Sequence, residues 1–89
     1  MPEISRFYGI VVCMFAEPAT RHHGPHFHVR YQEHSAVFRI DPIMLLEGSL
    51  PLRQQRLVEA WAELHQSELA DDWRLLRGGA APTRIEPLK

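Results

Sequence analysis

Polar and apolar side chains alternate between residues 26 and 40, as they do in β-strands that bury one face in a core. In a strand, every second side chain lies on the same face. The segment HFHVRY, residues 26–31, therefore has an apolar row and a basic row: Phe27, Val29 and Tyr31 against His26, His28 and Arg30. We predict a strand that buries the apolar row and presents the basic row on the opposite surface.

A second alternating segment, AVFRI, begins at Ala36 and predicts the partner strand of an antiparallel hairpin, joined by a four-residue connection. Matching the apolar faces restricts the register, because a slip of one residue would turn the whole apolar set outward. One allowed register pairs Tyr31 with Ala36. The other pairs Val29 with Ala36 and brings His26 opposite Arg39. The alternation is compatible with both.

Three further segments are predicted to be extended. The β-branched run at residues 10–15 is typical of a strand covered on both faces or of a central strand. Residues 43–46 favour a short fourth strand, and residues 83–87 favour a short edge strand that ends at a proline. Residues 16–25 contain two prolines and a glycine and predict a loop, and residues 1–8 predict a lead-in.

Apolar residues recur at helical spacing from Pro51 to Arg77, and Gly78-Gly79 then ends the helix. One long helix is expected because no proline or glycine interrupts this segment, and a break near Gln66 and Ser67 is the alternative. The sequence therefore predicts a single domain of the α+β class. A three- to four-stranded, mostly antiparallel sheet would pack on one long carboxy-terminal helix.

Composition excludes several classes of protein. The net charge of −1 does not favour DNA binding, and the single cysteine, Cys13, excludes an intrachain disulfide and is expected to be buried. Neither a signal peptide nor a membrane span is visible, so a cytoplasmic location without membrane contact is expected. Five acids and no Lys or Arg occupy residues 59–72, which predicts a solvated helix face or a docking surface for a basic partner.

The basic row of the predicted strand suggests acid–base chemistry. One imidazole would take a proton, the other would give one, and an arginine would stabilise charge on a phosphorane. Histidine titrates near neutrality, so both roles are available to one pair. This hypothesis assigns catalytic roles to His26, His28, Arg30 and Arg39, in a ribonuclease-like or nucleotide-directed enzyme that needs no metal.

Metal binding is a second hypothesis, because four histidines lie within seven residues. Zinc takes three or four nitrogen, oxygen or sulfur ligands, and the candidates are His22, His23, His26 and His28. A third interpretation gives the histidines no chemistry and has them line a sheet face or a protein interface. Our expectation is that no cofactor is required, with zinc implied only by the second hypothesis.

Five segments together resemble one bacterial family, and they keep their order along nearly the whole chain: PEISRFYGI (2–10), PHFHV (25–29), LEGSLP (46–51), WAELH (61–65) and IEPL (85–88). The family is the domain-of-unknown-function family numbered four-one-six-zero. The resemblance implies a small stand-alone protein, often encoded beside a second small protein, in a pair of toxin–antitoxin type. It supplies no catalytic residues.

The favoured function is therefore a small interaction module that acts through the protein encoded by an adjacent gene. RNA is the partner implied by the enzymatic alternative. The sequence does not decide between catalysis and binding.

Overall fold

The structure, a computed structural model, describes residues 2–15 and 24–89. The described chain forms five β-strands and then two α-helices: β1 (Glu3–Phe7), β2 (Ile10–Cys13), β3 (His26–Tyr31), β4 (His34–Ile40), β5 (Ile43–Gly48), α1 (Leu52–Leu64) and α2 (Gln66–Arg77). This confirms the α+β class. The predicted three to four strands and one long helix are wrong in number.

The five strands form one antiparallel sheet in chain order, so each strand pairs with its neighbours in sequence. Of the two hairpin registers, β3 and β4 adopt the one that pairs Val29 with Ala36 and His26 with Arg39. The connection is a two-residue turn at Gln32 and Glu33, not the four residues predicted. Gln32 makes this tight turn with a positive φ of 53°.

One face of the sheet packs against the helices. The apolar row of β3 and the inward row of β4 are buried there: Phe27, Val29, Ala36, Phe38 and Ile40. Trp61 of α1 is fully buried against them, with its ring centroid 6.0 Å from Phe27 and 5.4 Å from Phe7. The predicted core residues of both strands are confirmed, except that Tyr31 is only half-buried against the core.

The first strand, β1, lies in the segment that we expected to be a lead-in. Its sequence hides the strand, because Glu3, Ser5 and Arg6 interrupt the apolar residues and the ladder to β2 is irregular between Glu3 and Ser5. A hydrogen-bonded ion pair of 2.8 Å joins Arg6 to Glu3. The hydrogen bond from Arg6, with help from Arg84, lowers the pKa of Glu3 to about 2.

The predicted long helix is broken at His65, which has φ −118° and ψ 25°. This corresponds to the alternative, a break near Gln66 and Ser67. The change of direction places Gln66 at the end of the sheet, where its Nε2 donates to the Ile40 carbonyl at 2.7 Å. No glycine or proline marks this position, so the tertiary contact explains the break. Neither described helix has the length and apolar character needed to cross a membrane.

The carboxy-terminal tail returns to β1, as the predicted edge strand would, but it does not form a strand. The Ile85 N–H donates to the Ile4 carbonyl at 2.7 Å, and Ile85 is buried. The indole Nε1 of Trp61 donates to the Glu86 carbonyl at 2.8 Å. The tail therefore covers the outer edge of β1 and ties it to α1.

Asp72 of α2 holds the start of this tail. Its buried Oδ1 accepts hydrogen bonds of 2.9 Å from both the N–H and the hydroxyl of Thr83. We predict that Asp72→Ala lowers the free energy of unfolding by about 1–3 kcal/mol, because two donors lose a charged acceptor. Urea denaturation measures the loss, with Asp71→Ala on the exposed side of α2 as the control. Equal stabilities of the two variants would contradict this role.

Candidate functional site

A row of side chains crosses all five strands on the sheet face opposite α1. Consecutive register pairs join Glu3, Cys13, His28, Val37 and Glu47. Arg30 and Arg39 lie on the same face, because they alternate with the buried residues of β3 and β4. We call this surface the open face, since α1 lies on the other side of the sheet; α2 reaches the open face at His26, through Trp73.

His28 lies at the centre of the open face and is half-buried. Its imidazole stacks on the ring of Phe15, with the centroids 4.3 Å apart and the planes 21° from parallel. The ring of His26 meets it edge-on at 5.4 Å. These contacts fix the orientation of His28.

His26 is enclosed, which corrects the expectation that it lies on the surface. It is only 4% exposed, and the ring of Trp73 from α2 packs 5.0 Å away from it. Its Nδ1 lies 2.7 Å from the Gly24 carbonyl oxygen, and a carbonyl only accepts, so Nδ1 carries a proton. The sequence predicted the face of His26 but not the helix that passes its end of the sheet.

The two arginines of the predicted catalytic set remain accessible. Arg30 is exposed and Arg39 is half-buried. Arg39 lies opposite His26 in the β3–β4 pair, whereas Arg30 lies two residues beyond His28 on β3. Four predicted residues thus share one side of the sheet, but the two histidines differ in access because His26 is buried.

The metal hypothesis depends partly on residues outside the described chain, because His22 and His23 both lie there. Within residues 2–15 and 24–89, no three histidine, cysteine or acidic side chains are grouped to hold a metal ion. The described residues therefore supply His26 and His28 alone from the predicted zinc set.

An open cavity of about 250 Å³ lies on this face. Its lining includes Cys13, Phe15, His28, Arg30, Val37 and Glu47. Sequence reasoning did not assign Phe15, Val37 or Glu47 to the site. Phe15 follows Cys13 by two residues, but its contact with His28 depends on the β2–β3 register, which nothing in the sequence specified. The lining is mostly apolar and includes the charged side chains of Arg30 and Glu47.

Cys13 is 4% exposed, as expected for a buried thiol, and its burial raises the pKa of the thiol. A high pKa and low access both reduce the concentration of reactive thiolate. We predict that Ellman's reagent labels the folded protein about a hundredfold more slowly than the urea-unfolded protein, because labelling requires local opening. Labelling at similar rates in both states would contradict the burial.

The acidic segment at residues 59–72 is partly paired within the chain. Four of its five acids have partners: Glu59 with Arg56, Glu68 with His65, Asp71 with Arg74, and Asp72 with Thr83. His65 is half-buried, and its Nδ1 lies 2.6 Å from Glu68. Two of the five acids, Glu59 and Asp71, are therefore paired with an arginine.

Comparison with known proteins gives a family but no function. The model of the family described as "Domain of unknown function (DUF4160)" matches residues 9–74. This range contains β2 to β5, α1 and most of α2, and hence His26, His28, Arg30 and Arg39. No curated protein and no solved structure gives a match. The chain therefore belongs to the DUF4160 family.

Proposed function

We propose that this protein is an interaction module of toxin–antitoxin type, which binds the small protein encoded by an adjacent gene through the open face of its sheet. The observation that carries the proposal is the cavity of about 250 Å³ on the sheet face opposite α1. Its lining is mostly apolar and includes Val37, together with the charged side chains of Arg30 and Glu47. Apolar contact areas combined with a few polar groups are typical of protein interfaces.

The helices support this choice of surface by contrast. The acids at residues 59–72 are the alternative docking surface, for a basic partner. Glu59 and Asp71 already pair with arginines of the same helices, so a basic partner would have to compete with these two ion pairs. The open face therefore supports binding better than the helix face does.

The ribonuclease-like alternative has less support from the geometry. Acid–base cleavage needs two imidazoles within reach of one substrate. His26 is 4% exposed, and Trp73 and Gly24 already contact its ring. An interaction module does not need substrate to reach His26. In such a module, the packing of His26 against α2 has a structural role.

Co-expression with the product of the adjacent gene tests the proposal. With the affinity tag on that product, we expect wild-type chain to co-purify at an equal molar ratio. Val37→Glu places a charge in the lining of the cavity. We expect it to reduce the amount of chain that co-purifies about tenfold or more, because a desolvated charge opposes binding. Leu64→Glu is the matched control, since Leu64 is 71% exposed on α1.

Growth assays test whether the pair acts as a toxin and its antitoxin. We expect one of the two genes to slow growth when expressed alone and the pair to restore it. Failure of the wild-type chain to co-purify would overturn the interaction, and normal growth under all expression conditions would overturn the toxin–antitoxin role.

A further inference from the structure

We propose that the open face recognises an acidic extended segment of its partner. Arg30, which lines the cavity, and Arg39, two residues beyond Val37 on β4, would each bind a carboxylate. This inference rests on the proposed function and adds the chemistry of the partner.

The arginines of the described chain fall into two groups. One group is engaged in ion pairs: Arg6 and Arg84 with Glu3, Arg56 with Glu59, and Arg74 with Asp71. Among the described residues, the other group makes no hydrogen bond or ion pair: Arg30, Arg39, Arg53 and Arg77. Arg53 and Arg77 belong to the first turn of α1 and the last turn of α2, so Arg30 and Arg39 are the members of this group that lie in the sheet.

Neither guanidinium group forms an ion pair with an acid in residues 2–15 or 24–89. Glu3 already receives Arg6 at 2.8 Å and Arg84 at 3.1 Å. Glu47 lines the cavity and has an interaction of its own. A guanidinium group that lacks an ion pair within the described chain favours a carboxylate from another molecule. An arginine and a carboxylate can form two parallel, charge-assisted hydrogen bonds.

The register sets the spacing of the two groups. Arg39 lies opposite His26, and Arg30 lies four residues from His26 on the adjacent strand. At about 3.3 Å per residue, the two backbone positions are separated by roughly 13 Å along the strands. Acids at positions i and i+4 of an extended peptide have the same separation and lie on one face. The residue between them, at i+2, would point toward the cavity.

The same observations favour a carboxylate segment over RNA. Phosphate backbones require a continuous basic surface, whereas the whole chain has a net charge of −1. Single-stranded RNA also uses aromatic rings on which bases stack. The described rings of this kind on the open face include Phe15 and His28, and these two already stack on each other with their centroids 4.3 Å apart.

A fluorescent seven-residue peptide, Ser-Asp-Thr-Leu-Thr-Asp-Ser, tests this inference with the full chain. We expect saturable binding that weakens as salt is raised, because both contacts are ionic. Replacing both aspartates of the peptide with asparagine should abolish the binding. A single-stranded RNA hexamer, titrated in the same way, is expected to bind at least about tenfold more weakly.

Matched double variants identify the residues. Arg30→Gln with Arg39→Gln is expected to weaken peptide binding about a hundredfold, since each charge-assisted contact contributes roughly tenfold. Arg53→Gln with Arg77→Gln removes the same charge from the helices and should leave the affinity unchanged. Circular dichroism of both variants establishes that they fold.

Absence of peptide binding by wild type, equal effects of the two double variants, or preference for the RNA hexamer would each overturn the carboxylate site. Co-purification of the adjacent-gene product that survives the Arg30 and Arg39 substitutions would leave the proposed function standing and remove this inference. Peptide binding without that co-purification would do the reverse.

Discussion

Trp61→Ala is expected to be the most destabilising single substitution in this chain. The indole is fully buried between the sheet and the tail, and it contacts the rings of Phe7 and Phe27. Truncation removes that packing, leaves a cavity and deletes the donor to the Glu86 carbonyl. A loss of about 3–5 kcal/mol is expected, which approaches the whole stability of a domain this small.

Two further variants separate these contributions in urea denaturation. Trp61→Phe keeps an aromatic ring but loses the hydrogen bond and part of the volume, so it should cost clearly less than alanine. Leu64→Ala lies on the same helix with its side chain 71% exposed, and its effect should stay within about 0.5 kcal/mol. A Trp61→Ala protein as stable as Leu64→Ala would contradict the description of the core.

Gly48→Ala is expected to have the second-largest effect, for a backbone reason. Gly48 has a φ of +77°, which side chains of L-residues rarely adopt. A Cβ atom there would lie 2.1 Å from the Ser35 carbonyl oxygen and 2.9 Å from the Ala36 Cα. Both are backbone atoms, so β4 and β5 would have to separate. We expect a loss of about 2–5 kcal/mol from strain and overpacking together.

Gly79→Ala is the matched control for this substitution. Its φ is +86°, but a Cβ atom would meet nothing within 4 Å. The control therefore isolates the cost of the left-handed conformation, which is about 1–2 kcal/mol. Thermal or urea unfolding of both variants gives the difference. If Gly48→Ala costs no more than Gly79→Ala, the close approach of β4 to Gly48 is wrong.

The sequence predicted strand faces correctly where apolar and polar residues alternate without interruption, as they do in β3 and β4. Phe27 and Val29 alternate with His28 and Arg30, so the faces of β3 followed from the sequence alone. Ala36 and Phe38 did the same for β4. Two registers satisfied this pattern, because a shift by two residues preserves both faces, and the structure was needed to choose between them.

Long-range contacts account for what the sequence did not reveal. β1 is stabilised by the tail through Ile4 and Ile85, which are 81 residues apart, and its own polar residues hide the pattern. The break at His65 has no glycine or proline signal and depends on where α2 meets the end of the sheet. The burial of His26 depends on Trp73, which is distant in sequence.

The candidate site, too, was predicted where it depends on local alternation and was not predicted where it depends on strand pairing. Alternation predicted that His28 and Arg30 share a face, and both registers placed Arg39 opposite a histidine, His28 in one and His26 in the other. Phe15, Val37 and Glu47 joined the site through pairing across β2, β3, β4 and β5, which no local pattern specifies. That Arg30 and Arg39 form no ion pair with a described residue could be learned only from the structure, because the sequence does not show which acids other arginines bind.

Backbone amide shifts of the isotopically labelled chain, recorded by NMR as the co-purified partner is added, show directly whether the partner binds the open face. We expect the largest changes on that face, at Cys13, His28, Arg30, Val37 and Arg39. The amides of Arg56, Glu63 and Asp71 on the helices should change little. Changes concentrated on α1 and α2, with the open face unaffected, would contradict binding through the open face.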